Sequence, residues 1–332
     1  MKTYTANGKL LLTGEYLVLK GAVALALPTR LGQSFAVTDH SLSVSECALG
    51  VKPSSDSCHC EERSNVAIQY NPNLIRWSAH KPDGPWFSAT LTPDTLEIVE
   101  TDDPSKAEKL SHILKAVREL NPCAFQPGLH FETHLDFNPQ WGLGSSSTLL
   151  SNLARWAEIN PYQLLKLTIG GSGYDIACAT ANSAILYRLD NDQPLVKPIE
   201  FKPPFADHLF FVYQGKKQHS SDEVKAFNSH WKQDDLCMEI QTVSELSTAL
   251  PTVTYFEDFC TLLQVHEDIL SRCLNRPTLK TYYPDFEGCL KSLGAWGGDF
   301  LLAATPWPTE TLKAYFHSKG LDTIFNYNEL IV

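Results

Sequence analysis

The sequence predicts an α+β fold in two lobes. Short apolar runs at residues 10–12, 16–19 and 23–27, separated by turn residues, read as the opening strands of a mixed sheet. Helical stripes and single strands follow without the regular strand–helix alternation of a dinucleotide-binding fold. A Pro-, Asp- and Lys-rich stretch over residues 190–204 then suggests a junction, dividing the chain into 1–190 and 191–332. There is no internal repeat.

Taken in order, Pro28 is expected to interrupt a central strand, because it lacks an amide hydrogen. Residues 47–94 are rich in Ser, Pro and Asp, with one strand near 86–89. Ser105 opens a helix, with Glu108 three residues later as in a capping box. Ala107, Leu110, Ile113, Leu114, Val117 and Leu120 form its apolar stripe. Residues 129–135 alternate as a strand, with Phe131 and Leu135 on one face. A turn spans 139–144. Leu149, Leu150, Leu153, Ala154 and Ala157 mark a buried helix after it. Asn160 and Pro161 supply a cap and a first-turn proline for a short helix through Leu167. Residues 184–189 and 209–213 read as strands, and 222–231, 235–248 and 254–274 as helices. Residues 299–304 read as a further strand. Thr309 precedes a last helical pattern containing Leu312, Ala314, Tyr315 and Phe316, with Gly320 as its terminator.

With 332 residues, 43% of them apolar, the chain has enough material for a large core, which sets it apart from disordered sequences. No run of 18 apolar residues occurs, and Asn7, Gly8, Gly14 and Glu15 interrupt the apolar start. The expectation is a cytoplasmic protein without a membrane partner. The 38 acidic residues exceed the 27 basic ones and disfavour nucleic-acid binding, while leaving room for a local anion site. A homodimer stays open. Nine cysteines, an odd number, argue against a disulfide scaffold. Cys58, His59 and Cys60, with Cys47 upstream, are spaced too tightly for the usual zinc hairpin, and a surface loop is expected there.

The strongest chemical signal is Trp141-Gly142-Leu143-Gly144-Ser145-Ser146-Ser147-Thr148. It lies between a strand and an apolar helix, so free helix-start amides and short hydroxyls would face a phosphate. It lacks the Gly-Lys-Ser/Thr ending of a Walker loop, and no suitably placed acidic residue makes it a dinucleotide fingerprint. A second turn, Gly170-Gly171-Ser172-Gly173-Tyr174-Asp175-Ile176-Ala177, fixes a carboxylate in glycine-rich surroundings. Asp175 there suits either a proton acceptor or a helix cap. Tyr174 reads as a pocket wall. Lys9 lies in the first Gly-containing segment and Lys166 after the loop at 141–148, and sequence distance alone brings neither to the active centre.

Together these segments resemble the GHMP kinases, which include galactokinase, homoserine kinase, mevalonate kinase and phosphomevalonate kinase. The first resemblance is Asn7-Gly8-Lys9-Leu10-Leu11-Leu12-Thr13-Gly14-Glu15-Tyr16, extending through Gly21-Ala22-Val23-Ala24; the other two are residues 142–148 and 171–177. The resemblance implies a two-lobe fold with ATP in a cleft between the lobes and its phosphates near Gly142, Leu143, Gly144, Ser145, Ser146, Ser147 and Thr148. It implies Asp175 as the catalytic aspartate, Lys9 beside the substrate or transferring phosphate, and Ser146, or else Ser145, near magnesium. Glu15 falls near the substrate side, with loop organisation as its other reading. Ser220 matches a small hydroxyl residue of a substrate or phosphate loop, or caps the helix after it, and His219 suits either phosphate or solvent. The late segment Ser292-Leu293-Gly294-Ala295-Trp296-Gly297-Gly298-Asp299-Phe300 departs from the family's late glycine-rich loop, with Asp299 as the unusual addition. That departure suits either an altered pocket or a regulator that binds nucleotide without catalysis. Mevalonate is the first acceptor implied, within isoprenoid biosynthesis. Phosphomevalonate is second, and a basic pocket formed by Lys197, Lys202, Lys216 or Lys217 would favour it.

Overall fold

The structure is a computed structural model that describes residues 1–39, 71–217, 220–294, 296 and 298–332, with the side chains of 220–223 excepted. Cys47, Cys58, His59, Cys60, His219 and the side chain of Ser220 lie outside the described residues.

β1 (Lys2–Thr13) and β2 (Ala24–Asp39) form one long antiparallel pair. They absorb the first and third of the expected short strands. The middle run is not a strand: Leu17–Lys20 is a 3-10 turn, entered at Tyr16 with φ 61° and left at Gly21 with φ 92°. Leu17 and Val18 are buried all the same, so their apolarity reports packing rather than extended backbone. Nor does Pro28 break β2. It pairs with Lys9 at a position where the two backbones bond outward, Lys9 N–H to Leu143 O (3.0 Å) and Pro28 O from Val332 N–H (3.2 Å). The ladder asks nothing of the missing proline amide there.

The first sheet adds β3 (Ile75–Lys81), β4 (Gly84–Leu91), β5 (Ile98–Thr101), β6 (Leu129–Leu135), β7 (Ile185–Asp190) and β8 (Gln193–Pro198). Its order is β5-β4-β3-β6-β2-β7-β8, with β1 also on β2. β3 and β6 run parallel, and the other pairs antiparallel. Alternate residues of β3 and β6 are buried, as a sheet with one wet face requires. On the dry face Phe35 stacks on Phe131 (5.6 Å), and Trp156 meets Phe131 edge-on (4.8 Å). Truncating such a ring costs about 3–5 kcal/mol. Helices α1 (Pro104–Leu120), α2 (Ser145–Ala157) and α3 (Pro161–Leu167) cover this face. The cap of α1 is Asp103, whose carboxylate accepts from Lys106 N–H (3.0 Å), with Pro104 in the first turn. Ser105 is therefore inside the helix, and the expected capping box is displaced by a residue that accepts more strongly. Asn160 caps α3 as anticipated.

A short helix α4 (Tyr174–Ala179) leads back into β7. The second sheet has the order β10-β11-β9-β12, from β9 (Leu209–Tyr213), β10 (Cys289–Ser292), β11 (Phe300–Ala304) and β12 (Ile324–Asn326). Around it lie α5 (Ser220–His230), α6 (Cys237–Ala249), α7 (Phe256–Leu274), α8 (Leu279–Tyr282), α9 (Thr309–His317) and α10 (Tyr327–Leu330). Leu10, Leu12 and Leu25 from the first sheet share one apolar cluster with Phe211, Phe300 and Leu302 from the second, and with Phe259 of α7. That shared core fixes β1 against α7 and β10, and so fixes one wall of the cleft described next. No helix among the described residues is long and apolar enough to cross a membrane.

Candidate active site

The loop before α2 is held by β1. Lys9 donates through its backbone N–H to Leu143 O and through Nζ to Gly142 O (2.8 Å). This close approach demands Gly8, where an added Cβ would fall 2.9 Å from Leu143 O and 2.5 Å from Thr29 Oγ1. Gly142 and Gly144 turn the chain at φ 70° and 93°, conformations that L side chains avoid. Leu143, fully buried, anchors the loop between them. The hydroxyls of Ser147 and Thr148 bond within the fold, Ser147 to Gly144 O (2.9 Å) and Thr148 to Gln33 Oε1 (2.9 Å). Among the described residues, Ser145 and Ser146 make no such side-chain bond. Their amides, in the first turn of α2, lack intrahelical partners and carry the positive end of the helix dipole into the cleft.

The cleft has a volume of about 490 Å³ and is lined by Lys9, Ser145, Ser146, Asp175, Lys217 and Asp299, among others. That is the size of a small-molecule site. A concavity of about 510 Å³ near Glu97, Glu108 and His112 shares no residue with it and has no comparable set of chemical groups. Asp175 stands in the first turn of α4, where Oδ1 accepts from Ile176 N–H (3.0 Å). Burial raises its pKa above the ordinary aspartate range, against the pull of Lys9 and of backbone amides. The Lys9 ammonium lies over the Tyr174 ring, 5.7 Å from the centroid. Burial alone would depress its pKa, yet Tyr174, Asp299 and Asp175 together raise it. Tyr174 itself is pushed up to about 12 by burial.

Asp299 approaches the glycine loop from the second sheet. A Cβ on Gly142 would lie 2.4 Å from its carboxyl carbon. Its backbone is fixed by Asp299 N–H to Lys216 O (2.9 Å) and Gln214 N–H to Asp299 O (2.8 Å). Lys217 arrives from the same segment and donates to Pro139 O (2.9 Å), with its pKa lowered by burial.

Beneath these groups lies a buried ionic floor. Lys291 Nζ donates to Glu15 Oε1 (2.6 Å) and to Ser292 O (2.7 Å). Burial pushes Glu15 up to about 7, although Lys291 pulls the other way. His266 Nε2 accepts from Gly14 N–H (2.9 Å), so its 3.5 Å approach to Glu15 Oε2 is not an ion pair. Burial and then the Lys291 charge hold this imidazole neutral, well below its ordinary pKa. Glu15 Oε2 and His266 Nδ1 have no hydrogen-bond partner among the described residues. Glu267 accepts from Ser292 N–H and Oγ, both at 3.0 Å.

The fold therefore gathers Lys9, Gly142, Gly144, Ser145, Ser146, Ser147 and Asp175 around one space. Leu143 and Thr148 support the loop from behind. Glu15 reaches the cleft floor but its Oε1 is held by Lys291, an arrangement that suits loop organisation. Lys166 is remote, exposed and 3.8 Å from Asp192. Sequence reasoning passed over Lys225, Lys291, His266 and Glu267. Only Lys291 left a faint signal, as a lone charge in the short run Cys289-Leu290-Lys291-Ser292.

No protein-family profile matches the chain, and no curated protein matches it by sequence. Solved structures do match. The mevalonate kinase of Methanococcus jannaschii is 16% identical, covering 98% of this chain and 97% of that one, with a TM-score of 0.63. The Streptococcus pneumoniae phosphomevalonate kinase in complex with phosphomevalonate and AMPPNP is 17% identical, covering 98% and 100%, with a TM-score of 0.65. The chain has the GHMP kinase fold. The galactokinase of Lactococcus lactis, complexed with galactose, extends the likeness across the group at 11% identity, covering 98% and 92%, with a TM-score of 0.60. The mixed α+β class read from the sequence matches this fold.

Proposed function

We propose that the protein is an ATP-dependent kinase acting on a small hydroxy acid, mevalonate or its phosphate. The observation that carries this reading is the meeting of Lys9, Asp175 and the first turn of α2 in one cleft. In this reading the amides of residues 142–148 bind the phosphates of ATP. The acceptor oxygen attacks the terminal phosphorus, the bond to the bridging oxygen breaks, and ADP leaves. Asp175 orients the acceptor hydroxyl and takes its proton, a role that its raised pKa suits. Lys9, kept cationic by its carboxylate neighbours, offsets charge on the transferred group. The Ser145 and Ser146 hydroxyls are hard oxygen donors that would hold magnesium, which would neutralise phosphate charge.

The acceptor is argued from charge. Likeness to a mevalonate kinase and to a phosphomevalonate kinase supports either molecule. Lys217 and Lys225 line the cleft, while Lys197, Lys202 and Lys216 do not. Two cations beyond Lys9 favour the acceptor that already carries a phosphate, phosphomevalonate, as the second reading. The test incubates the protein with magnesium and ATP and each acceptor separately, and identifies products by mass spectrometry. Phosphorylated product from either acceptor supports the proposal and chooses between the two. ATP binding without transfer to any member of a hydroxy-acid, sugar and amino-acid panel would replace it with a nucleotide-binding regulator.

A further inference from the structure

The wet face of the first sheet carries a second cluster, which the proposed reaction does not use. His80 on β3 and His134 on β6 are direct partners in the parallel register. Their rings stack at 4.4 Å with 9° between planes. Glu132 lies two residues before His134 and so projects from the same face. Its Oε1 stands 2.9 Å from His134 Nε2 and 3.6 Å from His80 Nε2. One donor atom from each of the three residues lies within 4.8 Å of the others. The side chains are about 31%, 40% and 49% exposed for His80, Glu132 and His134, enough for an ion to enter from solvent. The opposite face of the same strands is anchored by Trp77 and Phe131 in the core, so the backbone beneath the cluster is rigid.

We propose that His80, Glu132 and His134 form a binding site for a divalent transition metal ion, of which Zn²⁺ is the type. Two imidazoles and one carboxylate match the ligand preferences of zinc, and of nickel or copper, rather than the all-oxygen sets of magnesium and calcium. Bonds of about 2.0–2.2 Å to a shared ion require donors closer than twice that length. The 2.9 Å and 3.6 Å separations already meet this, and small rotamer changes bring the remaining pair in. On binding, the proton that His134 Nε2 donates to Glu132 moves to Nδ1 through solvent, so each neutral imidazole offers an Nε2 lone pair with its proton on Nδ1, and Glu132 exchanges that hydrogen bond for the metal. The remaining positions stay open to water. A bound ion would tie β3 to β6 across the one parallel pair among the described strands. His130, also on this face, is engaged with Ser78 (3.1 Å) and stands outside the set.

The test uses the full chain stripped of metal by chelation and titrated calorimetrically with Zn²⁺ alone, in buffer with excess Mg²⁺. The proposal expects one zinc per chain that Mg²⁺ does not displace, and a thermal midpoint that rises with zinc concentration. His80→Ala and His134→Ala should each weaken that binding at least tenfold, Glu132→Gln should weaken it too, and His130→Ala should leave it unchanged. All four positions are on the wet face, and circular dichroism checks that each variant is folded. Cobalt in place of zinc should give a spectrum of nitrogen and oxygen ligation without thiolate charge transfer. No zinc binding, or wild-type affinity in both His80→Ala and His134→Ala, would reduce the cluster to cross-strand hydrogen bonds.

Discussion

Replacing Lys291 with Met would expose how the cleft floor is held. Met fills similar space but removes the ammonium that Glu15 Oε1 accepts from at 2.6 Å. Glu15 is 2% exposed and Lys291 fully buried, so water does not replace the lost partner. Breaking a buried pair from one side costs about 3–5 kcal/mol. At roughly 2–4 °C per kcal/mol for a chain of this order, the thermal midpoint should fall by about 10 °C. The loss should depend on pH. Burial already raises Glu15 from 4.5 to about 7, so its folded form holds a proton more tightly than its unfolded form. The associated stability is complete below about pH 4.5 and is lost as pH climbs through 7, a swing of roughly 3 kcal/mol. Without Lys291 the carboxyl titrates higher still, so Lys291→Met should be hurt less at pH 5 than at pH 8. Glu15→Gln added to Lys291→Met should recover much of the loss and flatten its pH dependence. Thermal melts of wild type, both single variants and the double variant, from pH 5 to 8, form the assay. Additive effects of the two substitutions, with no change across pH, would refute the buried-pair argument.

Other consequences follow from single groups. Gly142→Ala places a Cβ 2.4 Å from the Asp299 carboxyl carbon at φ 70°. It should lower stability by about 1–3 kcal/mol and weaken ATP binding, measured by melts and calorimetry, with partial relief from Asp299→Ala. Lys217→Ala and Lys225→Ala should raise KM for phosphomevalonate several-fold while leaving KM for mevalonate nearly unchanged, as steady-state kinetics on both acceptors would show. Phe131→Ala removes the ring between Phe35 and Trp156 and should cost about 3–5 kcal/mol in urea unfolding.

The parts legible in the sequence were those whose chemistry is local. The glycines of 142–144 and the serines after them announce a turn and a helix start by themselves, and Asn160 with Pro161 announces a cap. The errors were also local, where a stronger neighbour prevailed. Asp103 out-competes Ser105 as a cap because its carboxylate accepts the Lys106 amide, and the run at 16–19 is closed into a turn by Tyr16 and Gly21. Pro28 escaped its usual rule because the Lys9 amide turns to Leu143. The ionic floor was illegible for a different reason. Glu15 and Lys291 are 276 residues apart, and His266 and Glu267 sit in an amphipathic helix where polar residues ordinarily face water. The metal-type cluster depends on a parallel register that no local pattern announces.

The claim that this cleft transfers phosphate is tested most directly at Asp175. Asp175→Asn keeps the size of the side chain and the acceptor for the Ile176 amide but cannot take a proton. ATP affinity and the rate of acceptor phosphorylation should be measured on the same preparation. The account predicts near-wild-type ATP affinity with turnover reduced by roughly 10²–10⁴-fold. Turnover at the wild-type rate in Asp175→Asn would contradict it.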